Sequence, residues 1–520
     1  MKKTIYLFLM LGFLTWQANG QSHKVENVMK MSIRNSGYIM EKDALVGYYI
    51  FYKVDKVDRK TEAFKLELLD NNLGSVKTID IMQPKNSVLL EMEYNGKAFI
   101  MSFFDGKETM TFLSYDIAGK KLGEKKDADI PKIEKMMILQ GVQNDGFDYS
   151  TLMSRGDEGF VRQTISKNEK LGYSLECFKN NLSPAWTYGS DPKSDLLESA
   201  NMLYATSKVV VAHVIKKKGM MTKKYDTFLL IVDGQIGKKI LEKPLMDNKG
   251  DLSLVSCNVN EDKNEIIISG EYFAPGDDQA NSKSKGIYFM TLDMTGKELV
   301  FKKISWDLDL AKMKNSDPDD KKDKNAANAY IYWHTVEQTK DGHYYAIGEQ
   351  FKKTVSAMGM ASMVLSGGRG GAAATSIHVY NMVVLEFDQD FKLVNYSSFE
   401  KKKTEVLLPA GSTAAGTAIL GKFIKATGGF DFEFATRDKT KDAFYAVYKD
   451  YNRKDEDGKK ADSMIGSIVY ENGKLANYRS PINTEGTSIR FSPAKAGYIA
   501  ITEYFKKKKT VEMHLEKINY

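Results

Sequence analysis

Cysteine is almost missing from this 520-residue sequence: only Cys177 and Cys257 occur. A disulfide framework is therefore excluded as the source of stability, which has to come from packing. Long apolar runs are also missing. The longest, Ile5 to Trp16 in MKKTIYLFLMLGFLTWQANG, is too short for the roughly 20 residues of a spanning helix. Charge of one sign is scarce too, with 75 basic residues against 68 acidic ones and a formal net charge of +7. That balance lacks the concentrated basic footprint of a nucleic-acid binder, and none is expected as a partner. Six histidines are present, and none stands at metal-ligand spacing from another histidine or a cysteine.

What the N-terminus does have is the order of a secretory signal: Lys2 and Lys3, the apolar run, then Ala18-Asn19-Gly20. Residues 1–20 read as a signal peptide, and cleavage after Gly20 leaves Gln21 first. No cysteine follows to carry a lipid. The mature chain reads as an exported protein, in the periplasm, at the outer surface or secreted, with no membrane-spanning segment.

Apolar residues make up 42% of the chain, enough for a packed core, and the remaining length exceeds what one compact core holds. Helical periodicity is scarce, whereas short alternating or aromatic-rich runs bounded by Gly, Asn and Asp recur throughout. One unit repeats: an apolar strand ending in an acidic residue, a tight turn, then a lysine-rich strand. It appears around Asp70, Asp116, Asp233, Asp293, Asp388 and Glu471, and more weakly in YSLECFKNNLSPAWTY from Tyr173. Two further strand candidates precede each copy, as SVLLEMEYN from Ser87 and KAFIMSFFDG from Lys97 do before Asp116.

Four strands per repeat predict an all-β chain forming a β-propeller of seven or eight four-stranded blades. The last unit offers three strands, from Thr487, Tyr498 and Val511, so KVENVMKMSI from Lys24 is expected to supply the fourth and close the ring. Residues 21–520 then form a single propeller domain with insertions at about 307–328, 354–376 and 403–427. Cys177 and Cys257 fall in the third and fifth units, too far apart for a disulfide.

The stretch SAMGMASMVLSGGRGGAAATS, from Ser356, lies between HYYAIGEQFKK and IHVYNMVVLEFD, the second and third strands of the sixth unit. A phosphate loop would need Lys and Ser or Thr directly after its glycines, leading into a helix. Here alanines and a strand follow, so the segment reads as a long hairpin connection. Met358, Met360, Met363, Leu365 and Arg369 within it are candidates for partner contact. The lysine runs at 216–218, 401–403 and 506–509 read as hairpin tips and strand edges. The segment DLDLAKMKNSDPDDKKDKNAAN from Asp307 reads as a solvated, mobile linker. Asp317, Asp319 and Asp320 there, and DEDGKKAD from Asp455, lack the full pattern of a calcium loop.

Trp333 and His334, on a first strand of the sixth unit, are candidates for the central channel, while His213 in VVVAHVI reads as a core residue. There is no Gly-x-Ser-x-Gly elbow, and a catalytic carboxylate pair cannot be singled out. No catalytic residue, cofactor or metal is assigned.

The motifs ISGEYF, Ile268 to Phe273, and AIGEQFKK, Ala346 to Lys353, complete the repeat pattern. In them, and in its signal peptide and blades, the chain resembles exported propeller-like proteins of Gram-negative bacteria grouped only as a domain of unknown function. The resemblance covers most of the mature chain and implies no activity. The shared Gly-Glu, at Gly270-Glu271 and Gly348-Glu349, reads as a repeat signature. The expected role is non-enzymatic binding or scaffolding in the envelope, with a protein or a surface polysaccharide as partner. The alternative is a polysaccharide-acting enzyme with its site at the channel mouth.

Overall fold

The computed structural model describes residues 21–41, 44–128, 130–143, 151–166, 171–219, 222, 224–277, 279, 282–316, 329–355, 375–407, 417–438, 441–451, 463–482 and 484–518. Eight four-stranded antiparallel meanders follow one another along it, and the fold is a β-propeller of eight blades. Blade 1 begins at Ser36, and blades 2 to 8 begin at Val88, Leu152, Leu197, Ser256, Tyr330, Phe432 and Ser488.

Blade 8 draws on both chain ends. Ser488–Pro493, Tyr498–Phe505 and Thr510–Lys517 are joined by Ser22–Val25, with Ser22 opposite His514 and Val25 opposite Val511. The N-terminal strand thus closes the blade, as expected, but it starts earlier than Lys24 and ends at Val25. Asn27, at φ 61°, breaks the extended backbone, and Ile33–Asn35 is a 3-10 turn.

The chain divides into two compact units. One runs up to Ser87 and resumes at Ile482, holding blades 1 and 8; the other, Val88–Pro481, holds blades 2 to 7. In the first, Tyr48, Ile50 and Tyr52 of blade 1 pack against Ala500, Val511 and Met513 of blade 8. In the second, each blade presses one face on the next: Ile100 and Phe112 meet Phe160, Val209 and Val211 meet Ile266 and Ile268, and Tyr345 and Ile347 meet Phe444 and Tyr448. Both faces of the middle strands are covered, which is why runs such as AFIMSFF are buried from end to end. The fourth strands, among them KLGEKKD and ELVFKKIS, stay largely outside the core, and their lysines discourage edge pairing.

The acidic residue of the repeat anchors the turn between third and fourth strands. Asp70 Oδ1 accepts from the amides of Asn72 and Gly74, both at 2.8 Å; Asp293 Oδ1 accepts from Thr295 and Lys297, and Asp388 Oδ1 from Asp390 and Lys392. Three residues after the anchor the chain turns left-handed. Gly119 and Gly296 take that position in two blades, at φ 84° and 83°, but Leu73 and Phe391 take it in two others, at φ 67° and 58°. Both of these side chains are buried, so apolar contact offsets the backbone cost of roughly 1–2 kcal/mol.

Among the described residues three α-helices depart from the all-β pattern: α1 (Lys132–Gln143), α2 (Ala311–Ser316) and α3 (Thr417–Ala426). The segment expected to be a mobile linker from Asp307 opens instead with a π-turn, Trp306–Leu310, and α2. Leu310 is buried against blades 5 and 6, with Trp306 and Met313 beside it. Residues 403–427 carry a short strand, Thr404–Leu407, paired with the third strand of blade 6, and then α3, whose Leu420 and Ile424 pack on Phe351, Ile377 and Val379. Asp317, Asp319, Asp320 and Asp455 lie outside the described residues. Cys177 and Cys257 are free thiols, and burial pushes the latter up to about 12.

Candidate functional site

In an antiparallel meander the connections alternate between the two ends of the sheet. In the larger unit, one end holds only short turns: those from first to second strands and the acidic turns. The other end holds every long connection, namely 218–225, 273–285, 356–374 and 452–462 within blades, and 128–151, 245–255, 306–329 and 400–431 between them. The exposed apolar side chains Met136, Met137 and Leu139 of α1, Met246, Leu308, and Phe423 of α3 all stand on these connections. Elsewhere in this unit exposed apolar side chains are scattered, at Ile117 and Ile236 on acidic turns and at Leu299, Val300 and Val394 on fourth strands, whereas at this end they recur on all four long connections between blades.

Beneath α3, at the junction of blades 6 and 7, lies a buried polar cluster. Glu349 sits in the second strand of blade 6, Tyr344–Val355, where the register slips between Glu349 and Phe351. That bulge aims it at blade 7. The preceding Gly348 is required by closeness, since a Cβ there would meet Ile331 Cγ2 at 2.6 Å and Tyr332 O at 2.8 Å. Glu349 Oε1 accepts from the amide of Asp431 and Oε2 from that of Phe432, each at 3.2 Å. Lys401 Nζ lies 3.0 Å from Glu349 Oε1 and 2.5 Å from Asp431 Oδ2, and Thr404 Oγ1 donates to the same Asp431 oxygen at 2.8 Å. The side chains of Lys401 and Glu349 are wholly buried. This overturns the reading of the 401–403 run as a hairpin tip. One lysine carries the charge balance of a buried site, while 506–509 does form the exposed tip of a hairpin.

Burial opposes ionisation throughout the cluster, and the outcome depends on partners. For Lys401, two carboxylates outweigh desolvation and hold its ammonium above the ordinary range. Burial would raise Glu349, but Lys401, His334 and its hydrogen bonds hold it low. Asp431 is raised by burial and by the charge of Glu349, against the pull of Lys401. Glu349 also acts as a junction clamp. Glu91 does the same between blades 2 and 3, accepting from the amides of Thr151 and Leu152, and Gln163 between blades 3 and 4, accepting from Met202.

The sister signature behaves differently. Glu271 of Gly270-Glu271 accepts from Ser284 Oγ at 2.9 Å, and Ser284 in turn accepts from Trp306 Nε1 at 3.0 Å. Burial pushes its carboxyl up to about 7, against the pull of Ser284 and Lys422. Lys422, on α3, is exposed, and desolvation by the surrounding protein still lowers its ammonium. His213, in the second strand of blade 4, has a buried Nε2 with no hydrogen-bond partner among the described residues, and burial lowers the ring to about 4. It is a core residue, but not a hydrogen-bonded one at that atom.

Trp333 and His334 do lie on a first strand, Tyr330–Gln338, which neighbours the first strands of blades 5 and 7. Their side chains are buried between blades. Trp333 stacks on Trp306 at 5.9 Å toward blade 5, and His334 stacks on Phe432 at 4.3 Å toward blade 7. His334 Nε2 stands 3.3 Å from Glu349 Oε2, too poorly aligned for a hydrogen bond, and burial lowers the ring to about 4. Met358, Met360, Met363, Leu365 and Arg369 lie outside the described residues. Among the described residues no His, Cys, Asp and Glu group stands at metal-binding geometry, and no helix is long and apolar enough to cross a membrane. Sequence reasoning missed Lys401, Asp431 and Lys422. Only the Gly-Glu repeat pointed toward the cluster.

Residues 1–519 match the model of a family of unknown function, DUF6770. No curated protein matches the chain. Among solved structures it is similar to BamB from Moraxella catarrhalis, at 8% identity and TM-score 0.36 over 95% of this chain and 97% of that one. It is similar to the quinohemoprotein alcohol dehydrogenase ADHIIG from Pseudomonas putida HK5, at 8% identity and TM-score 0.40 over 96% and 76%. Prolyl oligopeptidase B from Galerina marginata gives 10% identity and TM-score 0.39, over 91% of this chain and 55% of that one. Likeness this distant carries nothing about activity.

Proposed function

We propose, for a chain that belongs to this family of unknown function, DUF6770, a non-enzymatic binding or scaffold role in the cell envelope, exerted through the elaborated end of the propeller. One observation carries the reading: every long connection of the larger unit falls at one end, and apolar side chains are exposed there on connection after connection. Regular blades fix the connections in place, and connections positioned by a rigid frame are where binding surfaces arise. Met358, Met360, Met363, Leu365 and Arg369, from the segment whose flanking strands end at Val355 and resume at Thr375 on that side, are proposed as contact residues. Export rests on the signal-like order of residues 1–20, and the partner is an envelope protein or a surface polysaccharide.

The test compares three forms of the protein from Gln21 onward: the natural chain, one with 356–374 replaced by a short turn, and one carrying Met136→Lys and Phe423→Lys. Capture of the same partner from envelope extracts should weaken at least tenfold in both altered forms. Equal capture by all three would remove the elaborated end as the contact surface. Sequencing the N-terminus of the protein recovered from the periplasm or medium checks export, with Gln21 expected first.

A further inference from the structure

The cluster at blades 6 and 7 places a primary amine against one carboxyl, with a second carboxyl on the same amine and no water-exposed side chain among the three. Lys401 Nζ is 2.5 Å from Asp431 Oδ2 and 3.0 Å from Glu349 Oε1. The ion pair is not the only stable end point of that arrangement. The two carboxylates hold the Lys401 ammonium above its ordinary range, so the ion pair is the resting form; proton transfer to the raised Asp431 carboxylate gives a neutral amine beside a neutral acid as the minor form, and these are the reactants of amide formation.

We infer that Lys401 and Asp431 are set to join through an isopeptide bond, with Glu349 moving the proton. Asp431 receives a proton from Lys401 and becomes the acid. Nζ attacks Asp431 Cγ, forming the C–N bond, and Glu349 takes the proton that the attacking nitrogen sheds. Glu349 returns that proton to the departing hydroxyl, the Cγ–O bond breaks, and one water leaves. The sum is Lys-NH3+ plus Asp-COO− giving the amide and water, with Glu349 unchanged and no oxidant or cofactor needed.

Each neighbour supports that chemistry. Thr404 Oγ1 donates to Asp431 Oδ2 at 2.8 Å, on the carboxyl whose oxygens gain charge as nitrogen adds. The amides of Asp431 and Phe432 hold both oxygens of Glu349, so its position is fixed. Phe430 and Phe432 enclose His334 beside Glu349, edge-on at 5.1 Å and stacked at 4.3 Å, an apolar wall that keeps out the water able to reverse the reaction. Burial and the charge of Glu349 raise Asp431, which makes it the better proton acceptor of the two carboxylates. The bond would close the chain from Lys401 to Asp431 into a loop carrying the strand Thr404–Leu407 and α3, fixing that insertion covalently to the blades.

Intact-mass spectrometry of the folded protein from Gln21 onward, followed by sequencing of its tryptic peptides, tests this. The expected mass is that of the sequence less one water, with a branched peptide joining the segments of Lys401 and Asp431. Cyclisation of Gln21 loses ammonia instead and leaves no branch. Glu349→Gln and Lys401→Arg should both return the full mass. A natural chain that is folded by circular dichroism, stands at full mass and yields Lys401 and Asp431 in separate linear peptides overturns the proposal, whether or not the two variants fold.

Discussion

Phe391 occupies the left-handed position of its acidic turn at φ 58°, while its ring is 4% exposed and lies 4.6 Å from the ring of Phe289 and 4.7 Å from that of Tyr344. Truncating it removes a buried aromatic, which costs about 3–5 kcal/mol. The residue that replaces it should invert a familiar order. Alanine keeps the left-handed penalty of roughly 1–2 kcal/mol, whereas glycine escapes it and gives back only about 0.5–1 kcal/mol through its freer unfolded chain. Phe391→Gly should therefore be more stable than Phe391→Ala by about 0.5–1 kcal/mol. Phe289, in a regular strand of blade 5, supplies the control: there the alanine variant should be the more stable one. Urea midpoints at unchanged slope measure both pairs. If alanine outranks glycine at 391 as it does at 289, the reading of the turn as an apolar anchor bought against backbone strain is wrong.

Three further outcomes follow, two from buried titratable groups and one from a buried hydrogen bond. His334 is lowered to about 4 from 6.5, so the unfolded chain binds its proton first; stability is full above pH 6.5 and falls as pH drops toward 4, by roughly 2–3 kcal/mol. Replacing it in His334→Phe should flatten that slope in acid denaturation, and an unchanged slope would show that the ring is not kept neutral by the fold. Glu271 is raised to about 7, so the folded chain holds its proton longer, and stability declines as pH rises from about 4.5 to 7. Glu271→Gln should accordingly be the more stable form at pH 8, by about 1–2 kcal/mol after allowance for its partial exposure, and indistinguishable at pH 4.5. Trp186 Nε1 donates to Gly234 O at 2.9 Å, so Trp186→Phe should lower stability by about 1 kcal/mol or slightly more, read from the same urea midpoints.

The blades were legible because their information is local. An acidic residue that accepts two amides of its own turn leaves the same short pattern wherever it occurs, and Asp70, Asp293 and Asp388 do so with the same atom. Leu73 and Phe391 hid in that pattern, since nothing in the turn itself announces an apolar residue paying for positive φ with contacts elsewhere. The helices were lost for the opposite reason. In α3, Leu420 and Ile424 stand one helical turn apart and do face the core, but ten residues give too few turns to stand out from the alternation around them. The π-turn after Ser305 reads as solvated because Asp307 and Asp309 alternate with its apolar residues and a run dense in Asp, Lys and Asn follows, which masks the two that anchor it, Trp306 and Leu310.

The candidate site was not legible, and the Gly-Glu signature shows why. Gly270 and Gly348 occupy the same place for the same reason, a backbone or side chain too near for a Cβ. The carboxyls that follow them share their strand position and their aim toward the next blade. What differs is what arrives from elsewhere: Lys401 and the amides of Asp431 and Phe432 meet Glu349, whereas Glu271 accepts from Ser284 and feels Lys422 through charge alone. Lys401, Asp431, Ser284 and Lys422 come from connections at the elaborated end, outside the repeated strands. The repeat therefore sets where a carboxyl stands, and the connections decide whether it is ionised, clamped or reactive. A functional reading of this fold has to be made on its connections, where one lysine converts a repeat position into a site with chemistry of its own.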